Sequence, residues 1–204
     1  MFPLGSVLLP HMPLGLRLFE PRYLQMLGEL LEEREPQFGV VLIERGHEVG
    51  GGEQRFAVGT VARIIEVEAR QDFMAVVARG TTRFDVAEWL PDRPYPRARI
   101  REVDDFAWDP ALAGRCDEVE SQVRAALTLA GAGGDIEMSE EPLPRAWQMA
   151  GLTPVGPLDQ QRLLGSASLA DLLDTTARLT EEAVATPVSA GTTYVQRREV
   201  PETG

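Results

Sequence analysis

Leu14, Leu16 and Leu18 alternate with Gly15 and Arg17, the two-residue period of a half-buried strand. After Phe19-Glu20-Pro21 the period changes. Tyr23, Met26, Leu27, Leu30 and Leu31 then fall three and four apart, which puts them on one face of a helix. From residue 38 the chain reads as strands separated by turn residues: FGVVLIE, RFAVGTVARIIEVEA, FMAVVAR, RFDVAEWL and RARIREV. Inside the long second segment the apolar set shifts from Phe56, Val58 and Ile64 to Ile65 and Val67, which predicts a bulge near Ile64. Such kinks let a sheet curl. The loop RGHEVGGGEQ at 45–54, the turn around Gln71-Asp72 and the proline-rich PDRPYP at 91–96 separate the strands.

The pattern becomes helical after Asp104-Asp105. Steps of three and four run from about Ala111 to Ala130, followed by the loop GAGGD. LPRAWQMA and LDQQRLL predict two shorter helices, and a fourth begins at Ser168, where Asp171 completes an S-x-x-D capping pattern. Its stripe is Leu169, Leu172, Leu173, Thr176, Leu179 and Ala183. Apolar periodicity fades from Pro187 onward, so a mobile tail is expected there. Strands first and helices second predict an α+β chain, a curled sheet at 1–105 with a helical bundle at 106–186 and a tail at 187–204.

Composition removes several chemistries. All 20 basic residues are arginine; the chain has no lysine and no asparagine. Without lysine there is no P-loop G-K-[ST], no Ser-Lys dyad and no Schiff base, and without asparagine no N-glycosylation. The net charge of -12 is spread unevenly, about -4 up to Asp105 and -8 beyond it. That surface repels phosphate backbones, so nucleic acid is not an expected partner. Cys116 is the single cysteine, which forbids an internal disulfide and suits a reducing cytoplasm. It falls on the stripe Leu112, Cys116, Val119, Val123, Ala126 and Leu127 and is expected to be an inert core thiol. Early prolines at 3, 10 and 13 argue against a signal peptide, and no apolar run is long enough for a membrane helix.

Catalytic and metal-binding patterns are missing in turn. His11 and His47 are far apart, His47-Glu48 does not open an H-E-x-x-H, and no cysteine pair could hold zinc. Ser6 and Ser166 lack the second glycine of a nucleophile elbow, and the glycines at 50–52 precede a strand rather than a helix N-terminus. No catalytic residue, metal ligand or cofactor is therefore expected. Arg97, Arg99 and Arg101 alternate along one strand and form the candidate anion patch, with Glu66, Glu68 and Asp85 as candidate cross-strand partners that would neutralise it. At the strand-to-helix joint, Pro21 suits a first helical turn, Glu20 complements the helix's positive end, and Tyr23 opens the apolar stripe with a polar tip. Physics alone reads Glu20, Arg22 and Tyr23 as an architectural corner.

The segment PLGSVLLPHMPLGLRLFEPRYLQML resembles the opening signature of the substrate-binding N-terminal domain of Lon protease, a P-L-x-x-V-L-x-P stretch leading to L-x-L-x-x-F-E-x-R-Y. VGTVARIIEVE, then ARGTTRFDV with Gly80, Arg83 and Phe84, then PYPRARI continue the likeness. It covers residues 1–103 strongly and the helical part to about 186 more loosely, through LTPVGPLDQQRLL. One departure stands at Pro10-His11, where the family often has Pro-Gly.

The resemblance implies a PUA-like pseudo-β-barrel followed by a helical bundle, and a role in capturing protein substrates. Since the chain carries no lysine and ends at Gly204, a stand-alone relative without the ATPase and Ser-Lys protease domains is expected. The leading expectation is thus a non-catalytic cytoplasmic module, an adaptor or holdase, that binds unfolded or specific client proteins and works beside a Lon-type protease. Met12 and Leu14 in LPHMPLG, together with Glu20, Arg22 and Tyr23, are its candidate substrate-binding residues, and a groove between barrel and bundle is a second surface. The alternative is a PUA-like RNA or small-ligand module, resting on fold analogy.

Overall fold

The computed structural model describes residues 1–43, 55–134 and 136–185. The loop expected at 45–54, with His47 and the glycines at 50–52, lies outside those residues, as does the tail expected from 187. Among the described residues six strands form one sheet: β1 (Phe2–Leu4), β2 (Pro13–Leu18), β3 (Gln37–Ile43), β4 (Arg55–Ala69), β5 (Met74–Leu90) and β6 (Arg97–Val103). Their order is β1-β3-β4-β5-β2, with β6 also paired to β5. Only β1 and β3 run parallel. β5 is 17 residues long and serves β2 with its first part and β6 with its last.

Where the pattern predicted two strands, FMAVVAR and RFDVAEWL, the chain forms a single one that passes through Gly80. Glycine reads as a break in sequence, but here it admits close backbone contact from the loop before β2. The predicted bulge is present: the register slips between Ile64 and Glu66, so both Ile65 and Glu66 face Val77. The slip turns Ile65 to solvent, 57% exposed, instead of leaving it in the apolar set with Val67.

Helix α1 (Pro21–Leu31) lies against the sheet. Tyr23, Met26 and Leu27 bury themselves among Phe2, Leu18, Phe38 and Val76, with the Phe2 and Tyr23 rings 4.2 Å apart. Leu31, expected on that stripe, is instead 49% exposed, because the stripe runs off the sheet after Leu30. After a 3-10 turn at Pro110–Leu112 come α2 (Ala113–Leu129), α3 (Pro142–Leu152), α4 (Pro157–Leu164) and α5 (Leu169–Ala185). Proline occupies the first turn of α1, α3 and α4, where its missing N–H costs nothing. Ahead of α5, the Ser168 hydroxyl accepts from the Asp171 N–H at 3.1 Å. The Asp171 carboxylate accepts in turn from the Ala167 N–H at 2.9 Å, one residue earlier than a standard capping box.

The helices enclose a second core of Val119, Val123, Trp147, Met149, Leu172 and Leu173, with Cys116 fully buried in it. Burial raises the Cys116 thiol above its ordinary value, as suits an inert core residue. Leu8 belongs to the sheet core and Leu9 to the helical core, so two successive residues tie the halves together. No helix among the described residues is long and apolar enough to cross a membrane.

Candidate functional site

The segment before β2 turns tightly between Leu9 and Met12. Pro10 sets the second position, His11 has φ +62°, and the Met12 N–H donates to the Leu9 carbonyl at 3.2 Å. His11 thus adopts the left-handed conformation that glycine takes freely, so the Pro-His departure keeps the turn at some cost in strain. β5 clasps the turn: the His11 N–H donates to the Gly80 carbonyl at 2.8 Å and the Gly80 N–H to the Met12 carbonyl at 2.9 Å. Thr60 adds a hydroxyl donor to the Leu8 carbonyl at 2.6 Å.

This anchored turn forms one wall of a cleft of about 230 Å³ between the sheet and the helices. Val7, Leu9, Met12 and Leu14 line it from the N-terminal segment, and Gly151 of α3 and Gln160 of α4 from the other side. Met12 and Leu14, singled out in sequence, therefore share one concave surface, which coincides with the groove expected between the two halves. Gly151 and Gln160 carried no sequence signal, because only the tertiary fold brings them opposite LPHMPLG. Met12 is not a free finger of a mobile loop. It packs against both cores, and a Cβ at Gly151 would approach its side chain to 2.6 Å.

Glu20, Arg22 and Tyr23 sit at the corner opening α1. Arg22 grips the Glu20 carboxylate through two nitrogens at 2.9 Å, and its guanidinium lies 4.6 Å from the centre of the Tyr23 ring. Glu20 precedes the helix without a side-chain cap hydrogen bond. None of the three lines the cleft. On β6, Arg99 pairs with Glu88 at 2.5 Å and Arg101 with Asp85 at 2.6 Å. Of the three carboxylates expected opposite the row, Asp85 engages it. Glu66 and Glu68 do not, because they belong to β4, on the far side of β5.

Sequence reasoning missed a polar knot that reaches the turn at Leu9–Met12 through His11. Arg83 is buried at 7% exposure and donates to the carbonyls of Leu164 at 3.2 Å and Ser166 at 2.8 Å. Its guanidinium lies over Phe106 at 4.3 Å and Trp147 at 5.2 Å, rings that stack on each other. Burial lowers its pKa, countered by Asp105 and Asp85. Asp105 accepts from the Trp147 indole at 3.1 Å and the Phe106 N–H at 2.8 Å, with His11 Nε2 3.8 Å away. Burial alone would raise the Asp105 carboxyl, but these three neighbours together hold it below the usual carboxylate value.

A depressed folded pKa contributes stability above the unfolded value of about 3.9, and that stability is lost as pH falls through the folded value. Asp105→Asn should therefore cost less than about 1 kcal/mol at pH 5, because the carboxylate is 36% exposed and solvent screens its partners. Urea unfolding at pH 2.5 should show the deficit shrinking; an undiminished deficit would show that the Asp105 charge contributes nothing.

Among the described residues no group of three or more His, Cys, Asp or Glu is placed to hold a metal.

Over residues 1–182 the sequence matches the family described as the ATP-dependent protease La (LON) substrate-binding domain. The chain belongs to this family. It is 31% identical over 103 residues to a Lon protease of Anaeromyxobacter dehalogenans, which spans 50% of this chain and 12% of that protease. With Lon protease 2 of Myxococcus xanthus it shares 29% over 103 residues, again 50% of this chain and 12% of the relative. Both likenesses thus concern a small part of a longer protein. The crystal structure of a Lon N-terminal domain protein from Xanthomonas campestris is similar at a TM-score of 0.59 and 25% identity, covering 90% of this chain and 95% of that one. The N-terminal domain of Mycobacterium avium complex Lon protease shares the fold at a TM-score of 0.65 and 15% identity, over 88% and 97% of the two chains. The Lon N-terminal fold thus extends over both the sheet and the helices.

Proposed function

We propose that this chain is a non-catalytic protein-binding module that takes apolar segments of other proteins into the cleft between sheet and helices. It acts as an adaptor or holdase for unfolded or specific clients in a reducing cytoplasm, with a Lon-type protease as a further partner. We read the sheet and α1 as a PUA-like pseudo-barrel and α2 to α5 as a bundle, a reading supported by their separate cores. The observation that carries the function is the cleft itself: an apolar wall from Val7 to Leu14 faces Gly151 and Gln160, in a family described by its substrate binding. Pairing of Arg99 and Arg101 with carboxylates leaves the RNA alternative without a specific observation in its favour.

Gly151→Ala tests the reading with little disturbance of the fold. The added methyl pushes the Met12 side chain into the cleft, while the gain of up to about 1 kcal/mol in helix propensity offsets that displacement. Anisotropy titration with a labelled, carboxymethylated unfolded protein should show binding about tenfold weaker than for the parent chain. The melting temperature should stay within a few degrees. Undiminished binding by Gly151→Ala would remove the cleft from the function.

A further inference from the structure

The outer face of the sheet carries an uncompensated charge. In the register of β4 and β5, Arg63 stands directly opposite Arg79, with Gln37 of β3 beyond the first and Pro13 of β2 beyond the second. Both arginines are exposed, and no carboxylate among the described residues lies within ion-pair distance of either. Like charges facing each other across a ladder destabilise it. The chain has carboxylates in excess, 32 against 20 basic residues, and it uses them elsewhere: Arg22, Arg70, Arg99, Arg101, Arg115 and Arg124 each meet one.

One row along the same face two aliphatic side chains stand exposed beside Glu66. The bulge presents Ile65, 57% exposed, toward Val77, 41% exposed. Across from Val77 on β2, Gly15 has nothing within 4 Å of where a Cβ would stand, so the shelf is open there. Adjacent rows on one face are two residues apart, about 7 Å along the strands. A pair of guanidinium groups and an apolar shelf at that spacing match an acidic side chain and an apolar one at positions i and i+2 of an extended peptide.

We propose that this face, centred on Arg63, Arg79, Ile65 and Val77, docks an extended acidic-and-apolar segment of a partner protein. Charge complementarity selects that occupant over a phosphate chain. Glu66 stands beside Ile65 on the shelf, and the net charge of -12 repels a polyanion at longer range, whereas a short segment with one or two carboxylates meets mainly the arginine pair. Its four central residues lie outside the cleft lining, and the two surfaces meet only along β2, where Pro13 and Gly15 border both.

A displayed library of random decapeptides, selected in parallel on the parent chain and on the double variant Arg63→Glu/Arg79→Glu, tests this. Both positions are exposed, so the variant should keep the parent's circular dichroism and melting temperature, and Arg63→Lys/Arg79→Lys serves as a charge-conserving control. Peptides enriched on the parent should carry Asp or Glu two positions from an aliphatic or aromatic residue. Synthesised singly, they should lose at least about tenfold in affinity on the charge reversal and weaken with added salt, while Gly151→Ala leaves them unchanged. Enrichment without acidic residues, or the same binders recovered equally on the reversed variant, would overturn the proposal. So would tighter Arg63- and Arg79-dependent binding of a fluorescent ten-nucleotide single strand, which would transfer the face to phosphate.

Discussion

Replacing Arg83 with leucine should lower the unfolding free energy by about 3 kcal/mol, although leucine is the better core residue by hydrophobicity. The guanidinium satisfies the carbonyls of Leu164 and Ser166 at the end of α4 and just beyond it, where no other donor among the described residues reaches either oxygen. Leaving buried acceptors unpaired costs about 1–3 kcal/mol each, and the loss of the cation over Phe106 and Trp147 adds to this. Arg83 comes from the sheet and its partners from the helical half, so the damage is concentrated where the two cores meet. Unfolding followed by indole fluorescence and by far-ultraviolet circular dichroism should cease to coincide, a sign that the halves no longer melt as one unit. Arg83→Lys should fall between the two, since an ammonium keeps the charge but not the planar fork and ring contacts. A leucine variant within 0.5 kcal/mol of the parent would mean that the knot is incidental to the fold.

Gly80→Ala should cost about 3 kcal/mol as well, through the backbone rather than a lost side chain. A Cβ there would lie 2.3 Å from the Leu9 carbonyl oxygen and 3.2 Å from the Thr60 side chain. Main chain cannot swing aside as a flexible side chain can, so the clasp between β5 and the turn at Leu9–Met12 must open. Gly15→Ala, on the neighbouring strand with open space around it, should be neutral to slightly stabilising. Denaturant melts of the two variants side by side separate close approach from any general dislike of alanine in this sheet. Equal effects would refute the steric account.

The elements that sequence made legible are those in which one periodicity persists. RFAVGTVARIIEVEA marks the limits of β4, and the parity change at Ile64 marks its bulge. α2 and α5 follow from their apolar stripes, and α3 and α4 from the short segments LPRAWQMA and LDQQRLL. β1 was not legible because three residues paired in parallel to β3 are too short to display a period. The continuity of β5 was not legible because Gly80 looks like punctuation until the Leu9 carbonyl is seen packed on it. Arg83 was read through the family signature and not as a buried cation, since its partners lie some 80 positions away. The cleft was half legible: the proline-flanked apolar loop with Met12 and Leu14 was conspicuous, whereas its opposite wall is a glycine and a glutamine with no pattern of their own.

The edge shared by β2 and β6 along β5 has a consequence for the order of events during synthesis. Pro13–Leu18 finds its strand partner at Met74–Arg79, the turn before it finds Gly80, and Leu9 enters a core completed by α5. A ribosome adding about 5–20 residues per second presents the first apolar segment several seconds before the strand that covers it. Pairings this distant in sequence also slow folding intrinsically. Throughout that interval Val7, Leu8, Leu9 and Leu14 are without their native neighbours. The nascent chain therefore resembles, at its own N-terminus, the exposed apolar segments that the finished cleft is proposed to hold.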